Sequence, residues 1–128
     1  MCEADIETNS VLQDMLMGAR PDYGWLSEES EDNRQRLECR RIWVVDPIDG
    51  TNSYLKGLPE FAVSVALIED GVALMGAVFN PARDQLFEAV KGGGARLNDN
   101  IISVSACADL AQMKILASRS EHSEAGWP

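Results

Sequence analysis

The chain has 128 residues, of which 45% are hydrophobic and 25% are charged, and its formal net charge at pH 7 is −10. This composition is typical of one globular domain with its own core, and the acidic excess argues against a nucleic acid polymer as a partner. No apolar run is as long as a membrane span, and the first residues lack the pattern of a signal peptide. Because the three cysteines are scattered without paired spacing, we expect reduced thiols and a cytoplasmic protein with no membrane partner.

The first half of the chain predicts one helix and two short strands. Asp5 is placed to cap a helix whose apolar residues recur at helical spacing, and Arg20-Pro21 ends that helix. These apolar residues are Val11, Leu12, Met15, Leu16 and Ala19. The pattern then predicts a strand over residues 23–27, a polar connector with helical potential over 33–41, and a buried strand over 42–45.

The second half of the chain predicts a series of hairpins. A short helix over residues 51–56 is closed by Gly57, and Asp70-Gly71 forms a tight turn between strands over 61–68 and 72–79. Further strands are predicted over residues 85–90, 95–97, 101–104 and 114–117, with one helical turn over 109–112. Successive hairpins with few helices indicate an α+β fold, in which an antiparallel sheet has helices on one side.

Residues 46–51 read Asp-Pro-Ile-Asp-Gly-Thr and are the most informative stretch of the chain. Asp46 and Asp49 follow an apolar strand, and Gly50 and Thr51 would present backbone N–H groups where a helix begins, which favours an anion. Carboxylates suited to a hard cation, beside amides suited to a phosphate, indicate metal-assisted phosphoryl chemistry. An isolated Asp before proline also forms ordinary turns, so the surrounding residues decide between the two interpretations.

Two acidic segments precede this motif. Glu28 and Glu29 end a short apolar stretch, and Asp5 lies further upstream. Together with Asp-Pro-Ile-Asp-Gly-Thr, this order of acids resembles the inositol monophosphatase family of magnesium-dependent phosphomonoesterases, over most of the chain. The resemblance implies that the α+β sheet, flanked by helices, is the first half of a layered α/β/α/β/α sandwich, the sugar-phosphatase fold. It also implies a small phosphorylated metabolite as the substrate.

The resemblance further implies a role for each acid. Two or three Mg²⁺ ions would be held by Glu28, Asp46, the Ile48 carbonyl and Asp49. Thr51, with Asp5 behind it, would orient and deprotonate the attacking water, Glu29 would assist or bind a further metal, and the Gly50 and Thr51 amides would receive the phosphate. A carboxylate bound to metal is not a free base, so the base must lie just outside the ligands. Two alternatives stay open: Asp5 as a helix cap only, and Glu29 as a solvated surface acid.

The metal motif does not specify the substrate. Pro59-Glu60-Phe61 and Ala117-Ser118-Arg119-Ser120 resemble elements of the branch that removes the 3′-phosphate of 3′-phosphoadenosine 5′-phosphate. Arg119 and Ser120 would then contact the substrate, with the planar guanidinium on its second phosphate. An ordinary exposed arginine is the alternative. These segments favour the bisphosphate nucleotidase branch, with inositol 1-phosphate as a close competitor.

The C-terminal residues predict an incomplete unit. Residues 1–113 would form the metal-binding domain without its first helix, and residues 114–128 would start a truncated second domain. By the same resemblance, the second domain supplies a Trp-Asp motif whose aspartate completes the metal site, and this sequence contains no Trp-Asp pair. We therefore expect the N-terminal portion of a homodimeric enzyme, with little or no activity alone. The alternative is a non-catalytic metal-binding or interaction module.

Overall fold

A seven-stranded sheet forms the centre of the computed structural model, which describes residues 2–32 and 34–114. Its strands are β1 (Gly24–Ser27), β2 (Arg41–Asp49), β3 (Ala62–Glu69), β4 (Val72–Asn80), β5 (Gln85–Val90), β6 (Gly94–Leu97) and β7 (Asn100–Ile102). The described part also contains the α-helices α1 (Glu3–Ala19) and α2 (Thr51–Leu55), and 3₁₀ turns at Gln35–Glu38 and Leu110–Gln112. The predicted α+β class is confirmed.

The strands follow chain order across the sheet, and every neighbouring pair from β2 to β7 is antiparallel. The pair β1–β2 is parallel, with Trp25 opposite Trp43 and Ser27 opposite Val45. This pair departs from the predicted antiparallel sheet, because residues 28–40 return the chain to the end of the sheet at which β1 began. The C-terminal ends of β1 and β2 therefore lie side by side.

The hairpins predicted for the second half of the chain are confirmed, with small shifts at the strand ends. Asp70 and Gly71 join β3 to β4 with φ angles of 49° and 79°. Positive φ at both positions is the geometry of the type I′ turn, which an Asp-Gly pair favours. The strand predicted over residues 101–104 is observed as β7, which begins and ends earlier in the chain.

Some sequence predictions fall beyond the part of the chain that the structure describes. Lys114 is the last described residue, and it does not belong to a strand. The rest of the strand predicted over residues 114–117 lies outside the described residues, as do Arg119 and Ser120. The predicted start of a second domain over residues 114–128 stays a prediction for the same reason.

The contact face of α1 differs from the predicted apolar stripe. Its buried residues are Asp5 and Asn9, whereas Val11 and Met15 are 56% and 68% exposed. Asp5 is the third residue of the helix rather than its cap, and its carboxylate accepts a hydrogen bond from the backbone N–H of Cys2, as in a capping box. The face turned inward is thus polar at the start of α1. Neither this helix nor any other in the described ranges is long and apolar enough to cross a membrane.

The most deeply buried apolar side chains lie where the acidic motif begins. Among the described residues, Val45, Pro47, Ile48 and Leu67 are buried. The strand predicted to be buried over residues 42–45 is fully buried only at Val45, and its other residues are half-buried. Farther along the sheet, large apolar side chains are exposed, as Ile101 is at 79%. The best-packed part of the molecule is therefore the end of β2, which holds Asp46 in place.

Replacing Gly18 by alanine is expected to stabilise the fold by about 0.5–1 kcal/mol. Gly18 lies in the last turn of α1, where an added Cβ would meet no atom within 4 Å. Alanine therefore restricts the unfolded chain without a clash in the helix. Urea unfolding should show a higher midpoint at an unchanged slope. A lower midpoint for Gly18→Ala would contradict the open, helical environment of this position.

Candidate active site

The candidate site lies where the C-terminal ends of β1 and β2 meet the N-terminal ends of α1 and α2. Because β1 and β2 are parallel, the acid pair after β1 emerges beside the acidic motif at the end of β2. The backbone N–H of Glu28 donates to the Val45 carbonyl at 3.3 Å, which continues the ladder past the end of β1. The parallel pairing, which the sequence did not predict, thus brings the two acidic segments together.

A β-bulge shapes the acidic motif. Asp46 pairs with Ser64 and Asp49 with Ala62, so β2 advances three residues while β3 advances two. In a regular strand, residues three apart face opposite sides of the sheet, whereas the extra residue at Pro47-Ile48 turns the second carboxylate. Pro47 is fully buried and cannot donate a ladder hydrogen bond, which favours a bulge at this point. The bulge therefore places Asp49 close enough for its charge to act on Asp46.

Asp46 is the electrostatic centre of the site. Its pKa is raised to about 6. Burial is the largest cause, followed by the negative charges of Glu28 and then Asp49. A hydrogen bond from the Ile48 backbone lowers the pKa in part, and Asp5 makes the smallest contribution, which raises it. Three other carboxylates thus lie within electrostatic reach of Asp46. A divalent cation at this place would reverse the effect of burial and of all three charges.

Thr51, the last residue of the motif, faces the buried carboxylate of Asp5 on α1. Its hydroxyl donates to the Ile48 carbonyl at 3.0 Å, and Oγ1 lies 3.5 Å from Oδ1 of Asp5. Asp5 is only 1% exposed, and its Oδ2 accepts the Cys2 backbone N–H. Asp5 therefore both supports the start of α1 and faces Thr51, a position that is compatible with each of the two interpretations that the sequence left open.

The two acids after β1 differ in their surroundings. Glu28 is exposed at the rim of the site, whereas Glu29 is half-buried and its Oε2 atom is buried without a hydrogen-bond partner in the described part of the chain. The backbone N–H of Glu29 donates to Ser27 Oγ at 3.3 Å, which fixes the turn. The alternative of a solvated surface acid for Glu29 is therefore wrong for its Oε2 atom.

The donor set suits a hard cation such as Mg²⁺, which takes carboxylate, carbonyl and water oxygens. Asp46 supplies one carboxylate, those of Glu28 and Asp49 lie within electrostatic reach of it, and the Ile48 carbonyl lies between the two aspartates in sequence. As the side chains stand, no three Asp, Glu, Cys or His residues within 2–32 and 34–114 are arranged to hold a metal. The structure thus gathers the charges that a cation would neutralise, while the Ile48 carbonyl accepts the Thr51 hydroxyl.

Gly50 and Thr51 begin α2, where the first backbone N–H groups of a helix have no partner within it. Gly50 has a φ of 87°, and a Cβ at this position would lie 2.7 Å from the Glu60 carbonyl oxygen. Its own carbonyl accepts the N–H groups of Ser53 and Tyr54. The backbone of the segment before β3 therefore packs directly on the turn, and only glycine fits there.

Sequence reasoning missed the polar network behind the acid pair. Asn9 hydrogen-bonds to Ser27 and Ser30, and the Trp25 indole also reaches Ser30. A signal was present, because Asn9 stands four residues after Asp5 and so shares its helix face. The two serines also flank Glu28 and Glu29 directly.

Comparison with known proteins identifies relatives of this chain. The model of the inositol monophosphatase family matches residues 1–127. An inositol-1-monophosphatase of Rhizobium meliloti (strain 1021) is 46% identical over 104 residues, which are 81% of this chain and 39% of that protein. A histidinol-phosphatase of Chlorobaculum parvum (strain DSM 263 / NCIMB 8327) is 31% identical over 120 residues, 94% of this chain and 46% of that protein.

The fold is similarly matched by solved structures. The extragenic suppressor protein SuhB from Bartonella henselae is 40% identical, with a TM-score of 0.75 over 82% of this chain and 40% of that one. This chain therefore spans less than half the length of each of these three relatives. Because the family model covers nearly the whole sequence and the fold agrees, the chain belongs to the inositol monophosphatase family.

Proposed function

We propose that the protein is the N-terminal, metal-binding portion of a magnesium-dependent phosphomonoesterase that hydrolyses a small phosphorylated metabolite, and that the full-length enzyme acts in the cytoplasm as a homodimer. The observation that carries this proposal is the gathering of Glu28, Asp49 and Asp5 around Asp46, whose pKa rises to about 6. Such a cluster next to a helix start suits a cation and a phosphate together. The relatives named above as an inositol-1-monophosphatase and a histidinol-phosphatase support the same reaction class.

Glu28, Asp46, Asp49 and the Ile48 carbonyl would hold two or three Mg²⁺ ions. When bound, the metal neutralises the phosphate charge and lowers the pKa of a coordinated water. The half-buried position of Asp46 limits access of bulk water to this point, which strengthens its electrostatic interactions.

Thr51 and Asp5 would accept the proton of the attacking water. If the Thr51 hydroxyl donates to Oδ1 of Asp5 instead of to the Ile48 carbonyl, that carbonyl is released for a cation, and the hydroxyl oxygen, which can accept in either orientation, links a water to Asp5. Asp5 is buried and held by the Cys2 N–H, so it provides a fixed acceptor behind Thr51. Glu29, with one buried carboxylate oxygen, would assist from the side of β1.

The turn at Gly50 would receive the phosphate. The backbone N–H groups of Gly50 and Thr51 lie at the start of α2, where partial positive charge favours an anion. The Glu60 carbonyl oxygen lies 2.7 Å from where a Cβ on Gly50 would be, so the turn packs closely against the segment before β3. A preorganised turn of this kind can stabilise charge that develops on the phosphoryl oxygens.

Inositol 1-phosphate is the first substrate to test, since the Rhizobium relative is named for it. The second is 3′-phosphoadenosine 5′-phosphate, on the pattern of residues 59–61 and 117–120, of which Arg119 and Ser120 would contact substrate. Histidinol phosphate is the third, from the name of the Chlorobaculum relative. The ratio of kcat/KM among the three assigns the substrate.

We expect release of inorganic phosphate from at least one of these compounds in Mg²⁺, slow for this chain alone and faster for a longer form that carries a second domain, with a loss of at least about 100-fold in excess EDTA. The purified protein is assayed with each substrate, and EDTA-treated samples are then resupplied with Mg²⁺. Recovery on resupply separates metal loss from unfolding. Turnover that is unchanged in EDTA would overturn the proposal. Stabilisation by Mg²⁺ without turnover of any substrate would instead support a non-catalytic metal-binding module.

A further inference from the structure

Asn9 holds both sides of the turn that carries Glu28 and Glu29. It lies on the inward face of α1 and is 8% exposed. Its Oδ1 accepts a hydrogen bond from the Ser27 hydroxyl at 2.6 Å, and its Nδ2 donates to Ser30 Oγ at 3.0 Å. The two polar ends of one side chain thus bind the residue before the acid pair and the residue after it.

The two serines extend this network into the turn itself. Ser27 Oγ accepts the Glu29 backbone N–H at 3.3 Å, and the Ser30 N–H donates to the Ser27 carbonyl at 3.4 Å. The Trp25 indole donates to Ser30 Oγ at 3.2 Å. Each of these hydrogen bonds alone contributes modestly, but removing a buried partner leaves the others unsatisfied. The conformation of the acid pair therefore depends on Asn9.

One face of α1 connects this network to the acidic motif. Asp5 and Asn9 are four residues apart and lie one above the other on the helix. Asp5 faces Thr51 at 3.5 Å, while Asn9 binds the serines around the acid pair. A rigid helix thus sets the position of the β1 turn relative to the β2 motif. Groups that orient metal ligands without touching the metal affect its affinity strongly.

We infer that Asn9 is a positioning residue, which sets the Glu28–Glu29 turn so that these acids bind a divalent cation together with Asp46. This inference rests on the proposed function and deepens it. Asn9 does not itself bind the cation, because both of its polar atoms are engaged by Ser27 and Ser30. Its effect should therefore appear in metal affinity rather than in the chemical step at saturating metal.

The test is a Mg²⁺ titration of the melting temperature for the wild type, Asn9→Leu and Leu16→Ala. Bound metal raises the melting temperature as the logarithm of 1 + [Mg²⁺]/Kd, so fitting this rise gives the Mg²⁺ concentration at half-occupancy, called the midpoint below, without reference to activity. Leucine is close to asparagine in size but makes none of its hydrogen bonds, and we expect the midpoint to rise about tenfold. Leu16 is half-buried on α1 two turns away, so Leu16→Ala should lower the melting temperature and leave the midpoint unchanged.

Ser30→Ala provides a second variant in case Asn9→Leu does not fold, and it should shift the midpoint in the same direction by a smaller factor. Phosphate release measured against Mg²⁺ concentration should follow the same midpoints and recover near wild-type kcat at saturation. Wild-type midpoints in these variants, or an equal shift in Leu16→Ala, would overturn the role of Asn9 while leaving the proposed function in place. A wild-type protein that binds Mg²⁺ without turnover would overturn only the enzymatic proposal, and one that does not respond to Mg²⁺ would overturn both.

Discussion

Asp46→Asn is expected to reduce magnesium-dependent phosphate release by about a thousandfold, with the folded structure retained. Asp46 is the residue on which the charges of Glu28, Asp49 and Asp5 converge. The amide keeps the size of the side chain but removes the negative charge that a divalent cation needs at this central position. Asp99→Asn is the matched control, because it makes the same chemical change in an exposed turn and should leave kcat/KM unchanged. Comparable activity in Asp46→Asn and wild type would contradict the central position of Asp46.

The same substitution is expected to stabilise the protein near pH 7 when no metal is present. Burial and neighbouring acids raise the pKa of Asp46 from 3.8 to about 6, so the native state binds this proton more tightly than the unfolded chain does. The contribution of Asp46 to the free energy of unfolding is therefore present at low pH, and it is lost as the pH rises through the pKa of the folded state. The full shift corresponds to about 3 kcal/mol. Solvent screening of this half-buried side chain reduces the effect to on the order of 1 kcal/mol.

Urea unfolding in EDTA at pH 4.5 and at pH 7 measures this effect. Asp46→Asn should gain stability over the wild type at pH 7 and much less at pH 4.5, whereas Asp99→Asn should follow the wild type at both. Mg²⁺ should reverse the order at pH 7, because only the wild type keeps its central ligand. A loss of stability in metal-free Asp46→Asn at pH 7 would mean that the carboxylate has a favourable partner instead of like charges.

The strands of the second half were predictable because local signals agree there with the fold. Alternating residues and the Asp70-Gly71 pair specify the β3–β4 hairpin without reference to the rest of the chain. The parallel β1–β2 pair was not predictable, because a strand of four residues carries no information on its direction relative to a strand 14 residues further on. The pairing depends on where residues 28–40 return the chain, which is a tertiary property.

For the candidate site as well, some residues could be identified from short segments of sequence, whereas others depend on the tertiary structure. The acids of residues 46–51 and the pair Glu28–Glu29 could be found from the sequence, because their chemistry is concentrated in short segments. The bulge at Pro47-Ile48 could not, although Pro47 is a sign of a disrupted ladder. Asn9 was missed because the apolar periodicity of α1 pointed to Val11 and Met15, which are exposed. Hydrophobic periodicity fails where a helix packs on a polar site.

Gly50→Ala is expected to destabilise the protein by about 2–4 kcal/mol, from backbone strain together with a clash. The Gly50 φ of 87° disfavours alanine, and its Cβ would lie 2.7 Å from the Glu60 carbonyl oxygen, which has to move. Gly57, at the other end of α2, separates these two effects. It has a φ of 67° but no atom within 4 Å of an added Cβ, so Gly57→Ala should lose only about 1–2 kcal/mol from strain.

The comparison of the two glycine variants also bears on the phosphate site. At temperatures where both variants are folded, Gly50→Ala should raise KM for the substrate, because the turn at Gly50 and Thr51 can no longer rest against the Glu60 backbone. Gly57→Ala should keep the wild-type KM, since Gly57 lies past the C-terminal end of α2, away from the proposed phosphate position. Equal urea midpoints for the two variants would show that the close approach of the Glu60 carbonyl does not constrain the turn. An unchanged KM in folded Gly50→Ala would show that this turn does not receive the phosphate.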